Sequence, residues 1–221
     1  MKVLFWGTPS YAVPTLDALN DSGYEIVGVV SQPDRRRGRG NQQMASPVKQ
    51  RAMDQGLRVF TPERIRDEGN VQAELKSLKA DISVVVAFGQ ILPSSVLNQP
   101  PLGCWNGHAS LLPRWRGAGP IQWSLLSGDS VTGVGIMAME EGLDTGPVLA
   151  HERVSIGLLE NANQLSNRLS SITAKLFLES IPRIAAAGPG VESERWKQLE
   201  VIKQEEIGGD PTYARMLSKK D

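Results

Sequence analysis

Val3-Leu4-Phe5-Trp6-Gly7-Thr8-Pro9 opens the chain with four apolar residues and an abrupt stop. A short unbroken apolar run ended by glycine and proline reads as a buried strand followed by a tight turn. A helix follows over residues 12–19, with Pro14 tolerable in its first turn. The alternation continues outward. Residues 26–30 read as a strand, 47–55 as a helix, 59–60 as a short strand and 71–78 as a helix. Residues 82–87, rich in β-branched side chains, form the most strand-like run of all. Between the second strand and second helix, residues 32–46 read as a long polar loop carrying four arginines. Strands alternating with helices predict an α/β class with a mostly parallel central sheet and helices on both faces.

The second half has a different texture. Cys104-Trp105 leads into a segment dense in Gly, Pro and Arg that lasts to Pro120. Residues 121–126 read as a short helix, and 131–139 and 148–154 as strands bracketing a loop. Leu165, Leu169, Ile172, Leu176 and Ile184 recur at helical spacing, so 161–185 is expected to be one amphipathic helix, with Pro182 kinking its last turn. Gly188-Pro189-Gly190 then breaks the pattern. Residues 192–221 are polar with weak periodicity and read as a linker or wrap-around tail, not a second domain.

Composition bounds the function. The 221 residues carry 24 Lys plus Arg and 24 Asp plus Glu, a formal net charge of zero. That excludes a globally cationic nucleic-acid binder but leaves room for a local basic patch. The one cysteine, Cys104, cannot form a disulfide framework and fits a reducing cytoplasm. With two histidines, His108 and His151, a closed Cys/His zinc site is not expected. The longest apolar stretch, 82–88, is far too short for a bilayer, and the N-terminal run is too short for an export signal.

Asn106, His108 and Asp144 are the first candidates for chemistry. In an extended backbone residues two apart point the same way, so Asn106 and His108 would face one cavity. Asp144 lies in Glu141-Gly142-Leu143-Asp144-Thr145-Gly146, whose glycines let the backbone bend close to a neighbour. An amide, an imidazole and a carboxylate suit attack of an amine on a carbonyl, which needs a proton acceptor and donors for an oxyanion. On spacing alone the blander alternative is favoured: a hydrogen-bonded histidine beside a turn and an aspartate capping another. Gly7-Thr8-Pro9 is either a tight turn or an anion-binding strand-to-helix junction; the dinucleotide fingerprint is absent. Arg35, Arg36, Arg37 and Arg39 would suit a phosphate backbone or form a solvated turn. Arg114 and Arg116 flank Trp115 as a second basic cluster, or pack their stems along the ring. Residues 84–88 with Gly89 would form an apolar slot for a flat ring, or an ordinary core strand.

These motifs carry a resemblance. Residues 106–122, Asn-Gly-His-Ala-Ser-Leu-Leu-Pro-Arg-Trp-Arg-Gly-Ala-Gly-Pro-Ile-Gln, closely resemble the signature of the methionyl-tRNA formyltransferases within the 10-formyltetrahydrofolate-dependent formyltransferase family. Gly133-Val134-Gly135-Ile136-Met137 running into residues 141–146 is similar to it as well, as are Phe5-Trp6-Gly7-Thr8-Pro9, Gln32-Pro33-Asp34-Arg35 with Gly38-Arg39-Gly40, and Ser46-Pro47-Val48-Lys49. Arg-Trp-Arg-Gly-Ala and the Pro-Asp-Arg loop separate this branch from its sugar-amine and glycinamide-ribotide relatives. The resemblance implies a Rossmann-like formyltransferase domain over 1–186, with 187–221 a linker toward a C-terminal β-barrel domain absent from this chain. It implies a cytoplasmic monomer that formylates the α-amine of initiator methionyl-tRNA with 10-formyltetrahydrofolate as co-substrate and no metal.

By the same resemblance Asn106, His108 and Asp144 are catalytic. Asn106 would polarise the formyl oxygen, His108 would donate to the oxyanion, and Asp144 would hold His108 and relay the proton. Ser110, Leu111, Leu112 and Pro113 would bind folate. The pterin is expected in a slot formed by Val86, Phe88, Gly89 and Leu92, with Ile91 over its face, and by Glu141 and Gly142. Arg35, Arg36, Arg37, Arg39, Arg114 and Arg116 would contact tRNA. Three residues depart from the family pattern: Gly107 stands for a branched aliphatic, Ala109 for Gly or Pro, and Glu140 for Asp.

Overall fold

The opening run is strand β1, Lys2–Gly7, in which Val3, Phe5 and Trp6 are fully buried. The computed structural model describes residues 1–37, 42–189 and 192–217. It divides into two units, Met1–Trp105 and Asn106–Asp221. In the first unit β1 is followed by a 3-10 turn at Ser10–Ala12, helix α1 (Val13–Asp21) and strand β2 (Glu25–Val30). Next come β3 (Arg35–Arg37), β4 (Gln42–Met44), α2 (Pro47–Asp54), β5 (Val59–Phe60), α3 (Gly69–Ser77), β6 (Ile82–Val86) and α4 (Ser94–Leu97). Strand β1 pairs in parallel with both β2 and β6, and β2 pairs in parallel with β5. A central parallel strand has neighbours on both edges and helices over its faces, which is why its sequence is continuous apolar rather than alternating.

Most buried polar groups inside this unit are matched, but Thr15 Oγ1 and Gln55 Oε1 are buried with no hydrogen-bond partner among the described residues. The Trp6 indole N–H donates to Ser83 Oγ at 3.2 Å. Beyond the strand ends, the Thr8 hydroxyl donates to the Phe88 carbonyl at 2.8 Å, and the Gln32 amide Nε2 donates to the same oxygen at 3.3 Å. The Gly7-Thr8 junction is therefore a turn in which Thr8 ties together the chain after β1, β2 and β6. Ser46 caps α2 by accepting from Lys49 N at 3.0 Å. The segment read as an unpaired polar loop is not wholly irregular: β3 and β4 pair antiparallel, Arg35 opposite Met44. Arginines carry no strand signature, so periodicity could not reveal this ladder. Four-residue α4 was also invisible to the pattern.

The second unit begins within strand β7, Cys104–His108, and continues through β8 (Arg116–Gly117), α5 (Pro120–Leu126), β9 (Val131–Ala138), β10 (Val148–Ser155) and α6 (Ala162–Ala187). Strands β9 and β10 pair antiparallel, with a register shift between Val148 and Ala150. Helix α6 opens on a capping box between Asn161 and Gln164 and buries Leu165, Leu169, Thr173, Leu176, Phe177 and Ile184. It runs on past Pro182 to Ala187. Thr173 and Phe177 press against Gly107 of β7: a Cβ added there would meet the Thr173 methyl at 2.6 Å and the Phe177 ring at 2.8 Å. The volume a branched residue would occupy is filled by α6.

Residues 192–217 have structure of their own: α7 (Glu192–Leu199), α8 (Gln204–Ile207) and β11 (Tyr213–Ala214). Ile202 and Val148 exchange backbone hydrogen bonds of 2.9 Å in each direction. Strand β11 pairs in parallel with β8. The tail is part of the second unit, so the wrap-around alternative describes it better than a free linker. Its polarity hid this, because backbone pairing and a few buried amides need no apolar period.

Near β8, Arg114 grips Asp129 through two bonds of 2.9 and 2.7 Å, and the Trp115 indole donates to the same carboxylate at 2.8 Å. The Arg114 guanidinium also lies 4.4 Å from the Trp115 ring centroid. Arg114 holds the Asp129 carboxyl below its ordinary value of 3.8, burial opposes this, and the Trp115 bond reinforces it.

Two outcomes follow from this packing. Gly107→Val should cost about 1–3 kcal/mol through overpacking against α6, whereas Gly69→Ala, in open space at a helix start, should be neutral or slightly stabilising; urea titration distinguishes them. The Asp129 clamp contributes stability in full above its unfolded pKa and loses it as pH falls through the depressed folded value. The Tm gap between the native chain and Asp129→Asn should therefore be widest near neutrality and close below the ordinary 3.8.

Candidate active site

Three side chains meet at the end of β7. Asn106 and His108 project from the same face of the strand because they are two residues apart. Asp144 reaches them from the loop between β9 and β10. Asn106 Nδ2 donates to Asp144 Oδ1 at 3.2 Å, and the backbone N–H of Gly117 donates to Asp144 Oδ2 at 2.8 Å. His108 Nδ1 lies 3.6 Å from Asp144 Oδ2. The histidine is buried at 5% exposure, so the imidazole and carboxylate interact in a largely dry setting.

The imidazole is oriented by a different group than the sequence suggests. His108 Nε2 sits 2.8 Å from the Trp115 carbonyl oxygen. A carbonyl only accepts, so Nε2 carries a hydrogen and Nδ1 is the ring nitrogen that faces the carboxylate. Asp144, expected to hold His108, lies 3.6 Å from its Nδ1; the Trp115 carbonyl binds the other ring nitrogen, and Asn106 and Gly117 hold Asp144. Donation from His108 to an oxyanion through Nδ1 requires a proton on that atom.

Backbone geometry makes these contacts. Asp144 has φ +51° and Trp115 has φ +62°. The left-handed region suits aspartate tolerably and tryptophan poorly. Such conformations persist where surrounding bonds over-determine them, and they gather at functional sites. Trp115 N donates to Thr212 Oγ1 at 2.9 Å, and Arg116 N donates to the Thr212 carbonyl at 2.8 Å. The Gln204 amide Nε2 donates to the Asp144 and Gly146 carbonyls at 2.9 and 2.8 Å. Trp115 O, Gly117 N, Thr212 and Gln204 were all missed by sequence reasoning. The first two act through backbone, which carries no side-chain signature, and the others sit in the polar tail.

The remaining expected site residues fall into separate groups. Ser110 is fully buried and its hydroxyl donates to the Arg114 carbonyl at 2.5 Å. Leu112 packs with Met137 and Val148, Pro113 is buried and Leu111 is half-buried, while Glu141 and Gly142 are exposed. In the first unit Val86, Phe88 and Leu92 are buried core, Phe88 edge-on to Trp6 at 5.2 Å, Gly89 has φ +87°, and Ile91 is exposed. Arg35 and Arg36 are exposed on β3, where Arg35 Nη2 donates to Gln32 Oε1 at 3.0 Å. Arg37 ends that strand, and Arg39 lies outside the described residues. Arg116, expected to face phosphate, is instead buried, with Nε and Nη2 both donating to Gln204 Oε1 at 2.9 and 2.8 Å. Arg114 keeps an exposed edge while bound to Asp129. Among the described residues no cluster of three or more His, Cys, Asp or Glu could hold a metal ion, and no helix is long and apolar enough to cross a membrane.

An amide donor, a held carboxylate and an imidazole with an open nitrogen can together polarise a carbonyl and move a proton. The chain is 98% identical over 219 residues to "Methionyl-tRNA formyltransferase" of Prochlorococcus marinus (strain MIT 9303), covering 99% of this chain and 64% of that protein. It is 68% identical over 221 residues to the protein of the same name in Synechococcus sp. (strain WH7803), covering 100% of this chain and 64% of that one. The chain thus spans just under two thirds of the length of these relatives. Among solved structures it is similar to phosphoribosylglycinamide formyltransferase from Bacillus halodurans (TM-score 0.66, 21% identity, 81% of this chain and 97% of that one). It is also similar to an N-formyltransferase from Helicobacter canadensis in complex with folinic acid and dTDP-3-aminofucose (TM-score 0.70, 20% identity, 97% of this chain and 70% of that one). At such identities these two share the fold. The formyl transferase domain matches residues 1–181, and the chain, an α/β protein with a mostly parallel sheet, belongs to the formyl transferase family.

Proposed function

We propose that this chain carries the catalytic machinery that transfers the formyl group of 10-formyltetrahydrofolate to the α-amine of methionine on initiator methionyl-tRNA. The observation that carries the reading is the meeting of Asn106, His108 and Asp144 around one carboxylate. The names of the relatives at 98% and 68% identity supply the acceptor. In this reading the free amine attacks the formyl carbon. Asn106 has two amide hydrogens; one holds Asp144 and the other faces the formyl oxygen. Asp144 accepts the proton released as the C–N bond forms. The proton then reaches N10 of the folate, directly or through a water, as the bond from N10 to the formyl carbon breaks. His108 Nδ1 shares that proton with Asp144 and, once protonated, donates to the oxyanion.

Ser110, Leu111, Leu112, Pro113, Glu141 and Gly142 are proposed to bind the folate. With three of the four residues 110–113 buried, that segment would offer backbone groups more than side chains. Val86, Phe88, Gly89 and Leu92 are carried as folate residues on the resemblance. Arg35, Arg36, Arg37, Arg39 and the exposed edge of Arg114 are proposed to meet tRNA phosphates. The protein would work in the cytoplasm as a monomer, which size-exclusion chromatography checks, and would need no metal.

Incubating the protein with 10-formyltetrahydrofolate and methionyl-tRNA should yield formylmethionyl-tRNA by mass spectrometry, and an amino-sugar nucleotide should not be formylated in its place. Formylation of the sugar alone would overturn the assignment. Asp144→Asn should lower kcat by about 10²–10⁴-fold with little change in KM, since proton transfer matters mainly in the transition state. Arg36→Ala should weaken tRNA binding, reduce the slope of log K against log salt by roughly 0.7–0.9, and leave the affinity for a folate analogue unchanged.

A further inference from the structure

Gln204 lies in the polar tail, where nothing in the pattern marks it, yet it is 1% exposed. Its side-chain amide is fully used. Both Nε2 hydrogens go to backbone carbonyls, those of Asp144 at 2.9 Å and Gly146 at 2.8 Å. Oε1 accepts twice from Arg116, at 2.9 and 2.8 Å. An amide that finds two acceptors and two donors in a buried site is fixed in place, because breaking any one bond leaves a buried polar group unpaired. Both ends of this bridge are parts of the site. One end is the carbonyl of Asp144, whose backbone sits at φ +51°. The other is Arg116, between Trp115, whose carbonyl orients His108, and Gly117, whose N–H holds the Asp144 carboxylate. Arg116 is 7% exposed and has no carboxylate within ion-pair distance among the described residues, so the Gln204 oxygen is its neutral partner.

We propose that Gln204 is a positioning residue for formyl transfer: it clamps the Asp144 loop to the turn that carries the Trp115 carbonyl and the Gly117 N–H. It touches none of the three reacting side chains and acts by holding the backbone at Asp144. The proposal rests on the formyl-transfer reading above, and its test separates the two.

Gln204→Glu is the informative variant. It keeps the size of the side chain and gives Arg116 a stronger, charged acceptor. It also turns an acceptor oxygen toward the Asp144 and Gly146 carbonyls, where two donors are needed. Gln204→Met is the second variant, removing both halves of the bridge while keeping length. The full chain is assayed for kcat, KM and Tm, and the histidine ring nitrogens are followed by 15N NMR, which is tractable with two histidines. The Gln204→Glu protein should remain folded and lose about 100-fold in kcat, the scale of a small misplacement, with KM for 10-formyltetrahydrofolate little changed. The His108 Nδ1 resonance should move, because the Asp144 carboxylate lies 3.6 Å from that atom. Wild-type kcat in Gln204→Glu overturns the proposal whatever the spectrum shows. Loss of folding in both variants at temperatures where the native chain is folded also overturns it, making Gln204 a folding determinant. If the native chain transfers no formyl group, the functional reading falls and the spectrum alone decides: a moved Nδ1 resonance supports the clamp, an unmoved one overturns it.

Discussion

The Asp144 carboxylate, held by Asn106 Nδ2 on one oxygen and Gly117 N on the other, is the constraint around which the second unit is arranged. A carboxylate has no freedom to drift when each oxygen has its own donor from a different segment. One donor comes from β7 and the other from β8, so the acid is fixed only when both strands are in place. Strand β8 is two residues long and is stabilised by pairing with β11 of the tail. Residues 204–214 set the position of a carboxylate sixty residues earlier through backbone and amide bonds, without contributing a charged group to the site.

How much of this was legible beforehand follows from which atoms do the work. The parallel strands of the first unit could be read because burial on both faces forces continuous apolar runs, as in Val3–Trp6 and Ile82–Val86. Asn106 and His108 could be paired because strand geometry repeats every two residues. The glycines around Asp144 allowed it to approach them, but spacing alone favoured a turn cap, and only the family resemblance joined it to the pair. The Trp115 carbonyl and the Gly117 N–H could not be found, since every residue has them. Gln204 was hidden for a related reason: a single buried glutamine in a polar segment looks like a solvated one until its four partners are known. The β3–β4 ladder escaped because arginines opposite glutamines have no apolar alternation to betray pairing.

Gly107 shows the opposite case, a visible departure whose meaning needed the fold. In sequence it stands where the family carries a branched aliphatic residue. In the structure the Thr173 methyl and Phe177 ring of α6 occupy the space where its side chain would lie. The contact surface is the same; the atoms filling it come from the helix instead of the strand. Glycine at 107 lets α6 pack directly on the strand between Asn106 and His108.

The arginines divide along the same line. Arg114 and Arg116 flank one tryptophan and look equivalent in sequence, but their environments are not. Arg116 is buried against a neutral amide, to which its Nε and Nη2 both donate. Arg114 is paired in bidentate fashion with Asp129 and stacked on Trp115, leaving one edge in solvent. A guanidinium already neutralised by a carboxylate contributes little net field to a distant polyanion, so in the proposed function phosphate contact is assigned first to Arg35 and Arg36 of β3, whose side chains are exposed. Those are the ones whose loss would change salt dependence without touching the carboxylate, the imidazole or the amide that holds them.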